Sequence, residues 1–282
     1  MVRTLISPTD LAARLRDPLW RVVDCRFSLG APDRGRADYV RGHIPGAVYA
    51  HLDADLAAPV QAGRTGRHPL PDPEILALTL GAWGIDAGTQ VVAYDDGSGA
   101  IAARLWWLLR WLGHEAAAVL DGGWAAWTAA GLPTDDAEAR PPRRRFRASP
   151  RPELLLSADE AARWATDGRH CLLDAREAVR YRGEAEPIDP VAGHIPGALS
   201  APYADNLGPD GRWLPAEALA RRYDALLDDR GAADCAVYCG SGVTAAHDVL
   251  AMVHAGLGEP RLYAGSWSEW ITDPARPVAR GD

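Results

Sequence analysis

Apolar residues along this chain gather in short runs separated by polar turns. Residues 21–24, 90–94, 171–174 and 235–238 each form a run of four or five positions rich in Val, Leu or Ala. Runs of that length without polar alternation suit strands buried on both faces. After 90–94 and after 235–238 the pattern changes to a helical period, predicting amphipathic helices over 100–112 and 244–255. Ser7 and Ser157 read as helix N-caps, each followed three positions later by an acid, Asp10 and Glu160. Pro8 takes the favoured first helical position. Alternating strand and helix patterns predict an α/β fold with a mainly parallel sheet flanked by helices. In such sheets ligands bind where the carboxyl ends of strands meet helix starts.

The pattern occurs twice. Val22-Val-Asp24-Cys-Arg26 returns as Leu172-Leu-Asp174-Ala-Arg176, and His43-Ile-Pro-Gly-Ala47 as His194-Ile-Pro-Gly-Ala198. Gly123-Trp124-Ala-Ala-Trp127 returns as Ser266-Trp267-Ser-Glu-Trp270, and the capped helix starts at Ser7 and Ser157 keep the same order. Internal repetition in matched order predicts two homologous domains. The boundaries are read as 1–134 and 153–282. Between them, 135–152 is a linker carrying Pro141, Pro142, Pro150 and Pro152 and the basic run Arg143-Arg-Arg145. Proline denies that segment regular hydrogen bonding, so an extended surface crossing is expected, with the arginines solvated.

Composition narrows the function. A chain of 282 residues suggests about two domains. With 48% hydrophobic and 24% charged residues it is a globular chain and not a disordered one. No apolar stretch reaches the ~18 residues of a membrane helix. Arg3, Asp10, Arg14 and Arg16 stand where a signal peptide would be apolar, so a cytoplasmic protein with no membrane association is expected. Every one of the 30 basic residues is arginine. The lack of lysine excludes Schiff-base chemistry, pyridoxal phosphate with it, and a Walker-type phosphate loop. A net charge of −8 argues against nucleic acid as a partner. Cys25, Cys171, Cys235 and Cys239 form no CxxC pair and are read as free thiols.

One segment concentrates the chemistry: Tyr238-Cys239-Gly240-Ser241-Gly242-Val243-Thr244. A buried strand ends at Tyr238 and a helix begins near Thr244. Two glycines let the backbone of the loop curl so that successive N–H groups point inward as an anion nest. The helix N-terminus adds partial positive charge at the same point. Such a setting favours a thiolate, so Cys239 is the candidate nucleophile. Cys25, Cys171 and Cys235 lie in or beside apolar runs and are read as core. In the first copy the equivalent loop is Asp95-Asp96-Gly97-Ser98-Gly99. A carboxylate there does not replace a thiolate, so the first domain is expected to be inert and to serve packing.

At these residues the chain resembles the tandem rhodanese-domain sulfurtransferases. The twin His-Ile-Pro-Gly-Ala segments, the repeated Trp-x-x-Trp and Cys239-Gly-Ser-Gly-Val-Thr244 carry the likeness. The resemblance implies a five-stranded parallel sheet in each domain and an active cysteine in the second. Sulfur is then carried as a cysteine persulfide from a small-molecule donor to a thiol acceptor, such as thioredoxin or a small thiol, or to cyanide. No metal or organic cofactor is implied. The uncharged Gly240 and Ser241 look like the mercaptopyruvate-type loop of that family, whereas thiosulfate-specific members place two cations there. By the same resemblance Ser241 works with Asp53, Arg180 binds the donor carboxylate, and His68 lies in the substrate cleft. Gly240, Gly242, Val243 and Thr244 form the binding loop. His43 and His194 are expected to brace the fold.

One departure stands out: the segment Glu186-Pro187-Ile188-Asp189-Pro190 lacks the second arginine that animal members carry. The nearest alternative is a thiosulfate sulfurtransferase using the same nucleophile. A cysteine phosphatase would need Cys-x5-Arg, but the sixth residue after Cys239 is Ala245. A non-catalytic rhodanese-like binding module would have no use for an intact Cys239.

Overall fold

A computed structural model describes all 282 residues, in two compact units. The first comprises Met1–Ala58, Leu70–Arg151 and Pro209–Trp213; the second comprises Pro59–Pro69, Pro152–Gly208 and Leu214–Asp282. Segment 135–151 thus packs with the first unit, and the short stretch Pro59–Pro69 packs with the second.

In the first unit the strands are β1 (Leu5–Ile6), β2 (Trp20–Asp24), β3 (Val48–Tyr49), β4 (Gln90–Tyr94) and β5 (Ala117–Leu120). They pair in parallel in the order β1-β5-β4-β2-β3. β4 is buried along its whole length, as its continuous apolar run requires. In the second unit β6 (Cys171–Asp174), β7 (Leu199–Ser200), β8 (Cys235–Tyr238) and β9 (Arg261–Leu262) pair in parallel in the order β7-β6-β8-β9. This sheet has four strands where five were expected. The residue that should begin a fifth, Leu155, follows a 3₁₀ turn at Pro152–Leu154 and makes a single parallel bridge to Leu262. One bridge does not extend into a ladder.

The repeated motifs build the same braces twice. Asp24 holds Arg26 by a buried ion pair of 2.6 Å, and Asp174 holds Arg176 at 2.5 Å. Each guanidinium also donates to a carbonyl, Gly42 or Gly193, and lies over a tryptophan, Trp124 or Trp267. His43 stacks on Tyr39 and bonds its carbonyl; His194 stacks on Tyr181 and does likewise. Both histidines are structural, and so are the second tryptophans of each pair. Trp127 and Trp270 are buried and donate to the carbonyls of Pro133 and Pro277. Ser7 and Ser157 cap their helices as expected, Ser157 in a full capping box with Glu160. No helix is long and apolar enough to cross a membrane.

The stretch from Asp135 to Arg151 contains neither helix nor strand, in keeping with its prolines. It is tied down nonetheless. The N–H groups of Arg144, Ser149 and Arg151 donate to carbonyls of the first unit, and Phe146 is buried there.

Candidate active site

At the carboxyl end of β8 the chain leaves Tyr238 and turns through Cys239–Thr244 into the helix Ala245–His254. Gly242 makes the turn possible. Its φ is +76°, and a Cβ there would stand 2.3 Å from the Ala264 carbonyl oxygen. Its N–H points back to the Cys239 sulfur at 3.1 Å. The thiol is therefore held in a backbone N–H contact that stabilises a negative sulfur, at the start of a helix whose N-cap residue, Thr244, makes no side-chain cap. Cys239 is 1% exposed.

Ser266, the residue that opens the second Trp-x-x-Trp segment, completes the turn. Ser266 adopts φ +56°, where the first unit has Gly123 at φ +53°. Its hydroxyl accepts the Cys239 N–H at 3.1 Å and donates to the Tyr263 carbonyl at 2.9 Å. Trp267 and Ser268 then donate to the carbonyls of Cys239 and Gly240. The backbone of the loop is thus pinned on both flanks. The signal was present in the sequence as the Gly-to-Ser exchange between the two Trp-x-x-Trp motifs.

The segment Pro59–Pro69 brings His68 onto the loop. His68 is buried, and its Nδ1 lies 2.7 Å from Ser241 Oγ. The neighbouring Arg67 anchors the segment by donating its N–H to Ser268 Oγ at 3.0 Å. Its guanidinium pairs through Nη1 with Asp189. Arg180, on the short helix Ala178–Tyr181, donates to Glu186 through Nε and Nη2 at 2.7–3.1 Å, and to Asp189 Oδ2 at 3.1 Å. Asp189 therefore joins two arginines. Burial pushes its carboxyl up while Arg67 and Arg180 pull it down, and burial wins. For Glu186 burial also acts upward, but the Arg180 bonds and the N–H groups of Asp189 and Ile188 outweigh it and hold the carboxyl low.

Of the residues singled out in the sequence, Cys239, Gly240, Ser241, Gly242, Val243, Thr244, His68 and Arg180 belong to the second unit. Asp53 belongs to the first, in the opening turn of the helix Leu52–Asp55, where it is exposed and its N–H donates to His51 Nδ1. Arg67, Asp189, Glu186 and Ser266 were not assigned a role from sequence.

The remaining cysteines are buried and unpaired. Burial, with Asp24 beside it, pushes the Cys25 thiol well up. Cys171 and Cys235 face each other across β6 and β8; their mutual hydrogen bond, reinforced by burial, pushes Cys235 well up, while the same bond draws Cys171 down against the upward push of burial.

The equivalent loop of the first unit shows what this backbone does to an anion. Asp95 Oδ1 accepts the N–H groups of Gly97 and Gly99, and Oδ2 those of Ile101 and Ala102, at 2.9–3.2 Å. The carboxylate fills the nest with the chain's own charge.

The rhodanese-like domain profile matches residues 7–130 and 157–273. A Pseudomonas aeruginosa relative named as a probable 3-mercaptopyruvate sulfurtransferase is 55% identical over 99% of this chain and 98% of its own length. A Mycobacterium tuberculosis relative, SseB, provisionally named a thiosulfate sulfurtransferase, is 41% identical, again over 99% and 98%. Among solved structures, the 3-mercaptopyruvate sulfurtransferase of Leishmania major superposes with a TM-score of 0.84 at 32% identity. It covers 98% of this chain and 75% of that one.

Proposed function

Because the chain belongs to the rhodanese-like domain family, with one such domain in each half, we propose that it is a sulfurtransferase acting on 3-mercaptopyruvate. The observation that carries the reading is the Gly242 N–H on the Cys239 sulfur within an uncharged loop faced by Arg180. The Cys239 thiolate attacks the substrate sulfur, forming the S–S bond as the C–S bond breaks. The electron pair leaves as the enolate of pyruvate, which takes up a proton to give pyruvate. The Ser241–His68 pair is the group suited to deliver that proton. Loop N–H groups stabilise the charge that builds at sulfur. An acceptor thiolate then attacks the outer sulfur of the persulfide and carries it away, restoring the Cys239 thiolate; cyanide leaves as thiocyanate in the same way.

Asp53 enters this mechanism from the family resemblance, as a partner of Ser241. A thiol acceptor of the thioredoxin kind and a cytoplasmic location fit four unpaired cysteines. The chemistry needs no cofactor. Thiosulfate is the second reading, favoured by the name of the SseB relative. Mass spectrometry after exposure to each donor, with paired donor kinetics, tests the proposal. The expected result is a gain of one sulfur atom on Cys239 and a higher kcat/KM with mercaptopyruvate. Failure of Cys239 to take up sulfur overturns the assignment; a preference for thiosulfate replaces the donor.

A further inference from the structure

Gly240, the residue after the nucleophile, is faced by two guanidinium groups. A Cβ placed there would stand 2.8 Å from Arg67 Nη2 and 3.7 Å from both Nη1 and Nη2 of Arg180. Glycine at this position leaves the space in front of the cations open. Both cations meet on one buried carboxylate, Arg67 on Asp189 Oδ1 and Arg180 on Oδ2. Asp189 therefore sets them side by side.

The two arginines are not equally committed. Arg180 spends Nε and Nη2 on Glu186 and Asp189. The Arg67 side chain spends Nη1 on Asp189, and its Nε is buried with no hydrogen-bond partner. Buried donors are rarely left unmade, so this guanidinium keeps unspent hydrogen-bonding capacity, and its Nη2 end faces Gly240 next to the nucleophile. Arg67 is also the more open of the two, its side chain 27% exposed against 11% for Arg180. A planar guanidinium with free N–H groups matches a planar carboxylate.

We propose that Arg67 is a substrate-binding residue that holds the donor carboxylate together with Arg180, and that Asp189 positions both. The proposal rests on the mercaptopyruvate reading. The two arginines are balanced in formal charge by Asp189 and Glu186, so the pair recognises its anion by directed N–H groups more than by net charge. A donor with one carboxylate suits that arrangement better than a compact dianion.

The test compares wild type with Arg67→Ala, Arg67→Lys and the double variant Arg67→Ala with Asp189→Asn. KM and kcat are measured for mercaptopyruvate, with inhibition by pyruvate as an independent probe of carboxylate binding. Discharge of preformed Cys239 persulfide to a thiol is followed in a single turnover. Arg67→Ala is expected to raise KM and the pyruvate inhibition constant tenfold or more, with discharge within about twofold of wild type. Arg67→Lys should recover part of the loss. Unchanged KM and pyruvate inhibition in Arg67→Ala overturn the proposal. So does recovery of both in the double variant, because Arg67 would then merely neutralise Asp189. If wild type prefers thiosulfate, the donor reading fails separately. Weakened pyruvate inhibition in Arg67→Ala still supports the carboxylate assignment, and unchanged inhibition ends it.

Discussion

Asp95 occupies in the first unit the place that Cys239 occupies in the second, the first residue after the strand that pairs with β2 or β6. A curled loop between strand and helix serves both, one residue longer in the first unit. Around Asp95 it directs four N–H groups onto the chain's own carboxylate, and around Cys239 one of them reaches sulfur. Asp95→Ala removes a buried acceptor of four donors, which costs about 1–3 kcal/mol or more. The first unit should melt several degrees lower by calorimetry, while Cys239 persulfide formation in the folded protein stays unchanged. An unaltered melting profile would show that the nest is satisfied by water instead.

Cys239→Ser should abolish sulfur transfer with the fold intact, since the change is small and the Gly242 N–H keeps an acceptor. Joint replacement of Cys25, Cys171 and Cys235 by Ala or Ser should leave most of the turnover, since burial raises the Cys25 thiol and Cys171 and Cys235 are buried and bonded to each other. Loss of turnover with an unchanged melting temperature in that triple variant would reveal a second working thiol.

How the sequence relates to this site depends on the range over which each feature is determined. Cys239, Ser241 and Gly242 could be read because a strand, a loop and a helix in immediate succession fix their geometry. The bracing role of His43 and His194 could be read because the repeat presents it twice. Arg67 and Asp189 could not, since their partnership spans a long stretch of chain and depends on Pro59–Pro69 packing with the second unit. The missing fifth strand is a local failure of a different kind: the Leu154-Leu-Leu156 run is apolar enough, but the 3₁₀ turn before it leaves one bridge.

Ser241→Ala and His68→Gln should each lower kcat by about ten- to a thousandfold and leave KM within a few-fold, because the pair at 2.7 Å is assigned to proton delivery. Asp53→Asn should show the same split if Asp53 shares that work. A rise in KM without a fall in kcat would make His68 a binding residue.

Arg180 has a structural load that the sequence did not reveal. Arg180→Ala leaves Glu186 and Asp189 buried with fewer counter-charges, so it should lower stability as well as affinity. Arg180→Lys is the cleaner variant. Its KM for mercaptopyruvate should rise about tenfold, the value of roughly one charge-assisted bond, with persulfide discharge unaffected. An unchanged KM would place the donor carboxylate elsewhere.

A buried acid sits in the first turn of the active-site helix. Asp248 is fully buried against Asn206, which donates to it at 2.7 Å. Burial pushes its carboxyl up to about 7, against the downward pull of Arg222, Asn206 and Tyr223. An acid raised from an unfolded value of about 3.9 stabilises the fold fully below that value. The contribution is lost as pH rises through about 7. Asp248→Asn keeps the acceptor for Asn206 without the titration. The variant should therefore gain melting temperature over wild type at pH 8 and lose that advantage at pH 4. Parallel pH curves would show that Asp248 does not carry the dependence.

Donor choice is the sharpest question for the loop. Gly240→Arg with Ser241→Lys would put two cations beside Cys239, and the side chain at 240 would meet the Nη2 end of Arg67. Arg67 would have to give way against its Asp189 ion pair, and the Ser241–His68 bond is lost. Mercaptopyruvate turnover should fall on both counts. Thiosulfate, with two negative charges, should gain from the added field, and the gain should shrink as salt screens it. The measurement is kcat/KM for both donors at low and high ionic strength. A thiosulfate preference already present in wild type would mean that the uncharged loop does not select a single carboxylate, and it would overturn the mercaptopyruvate reading.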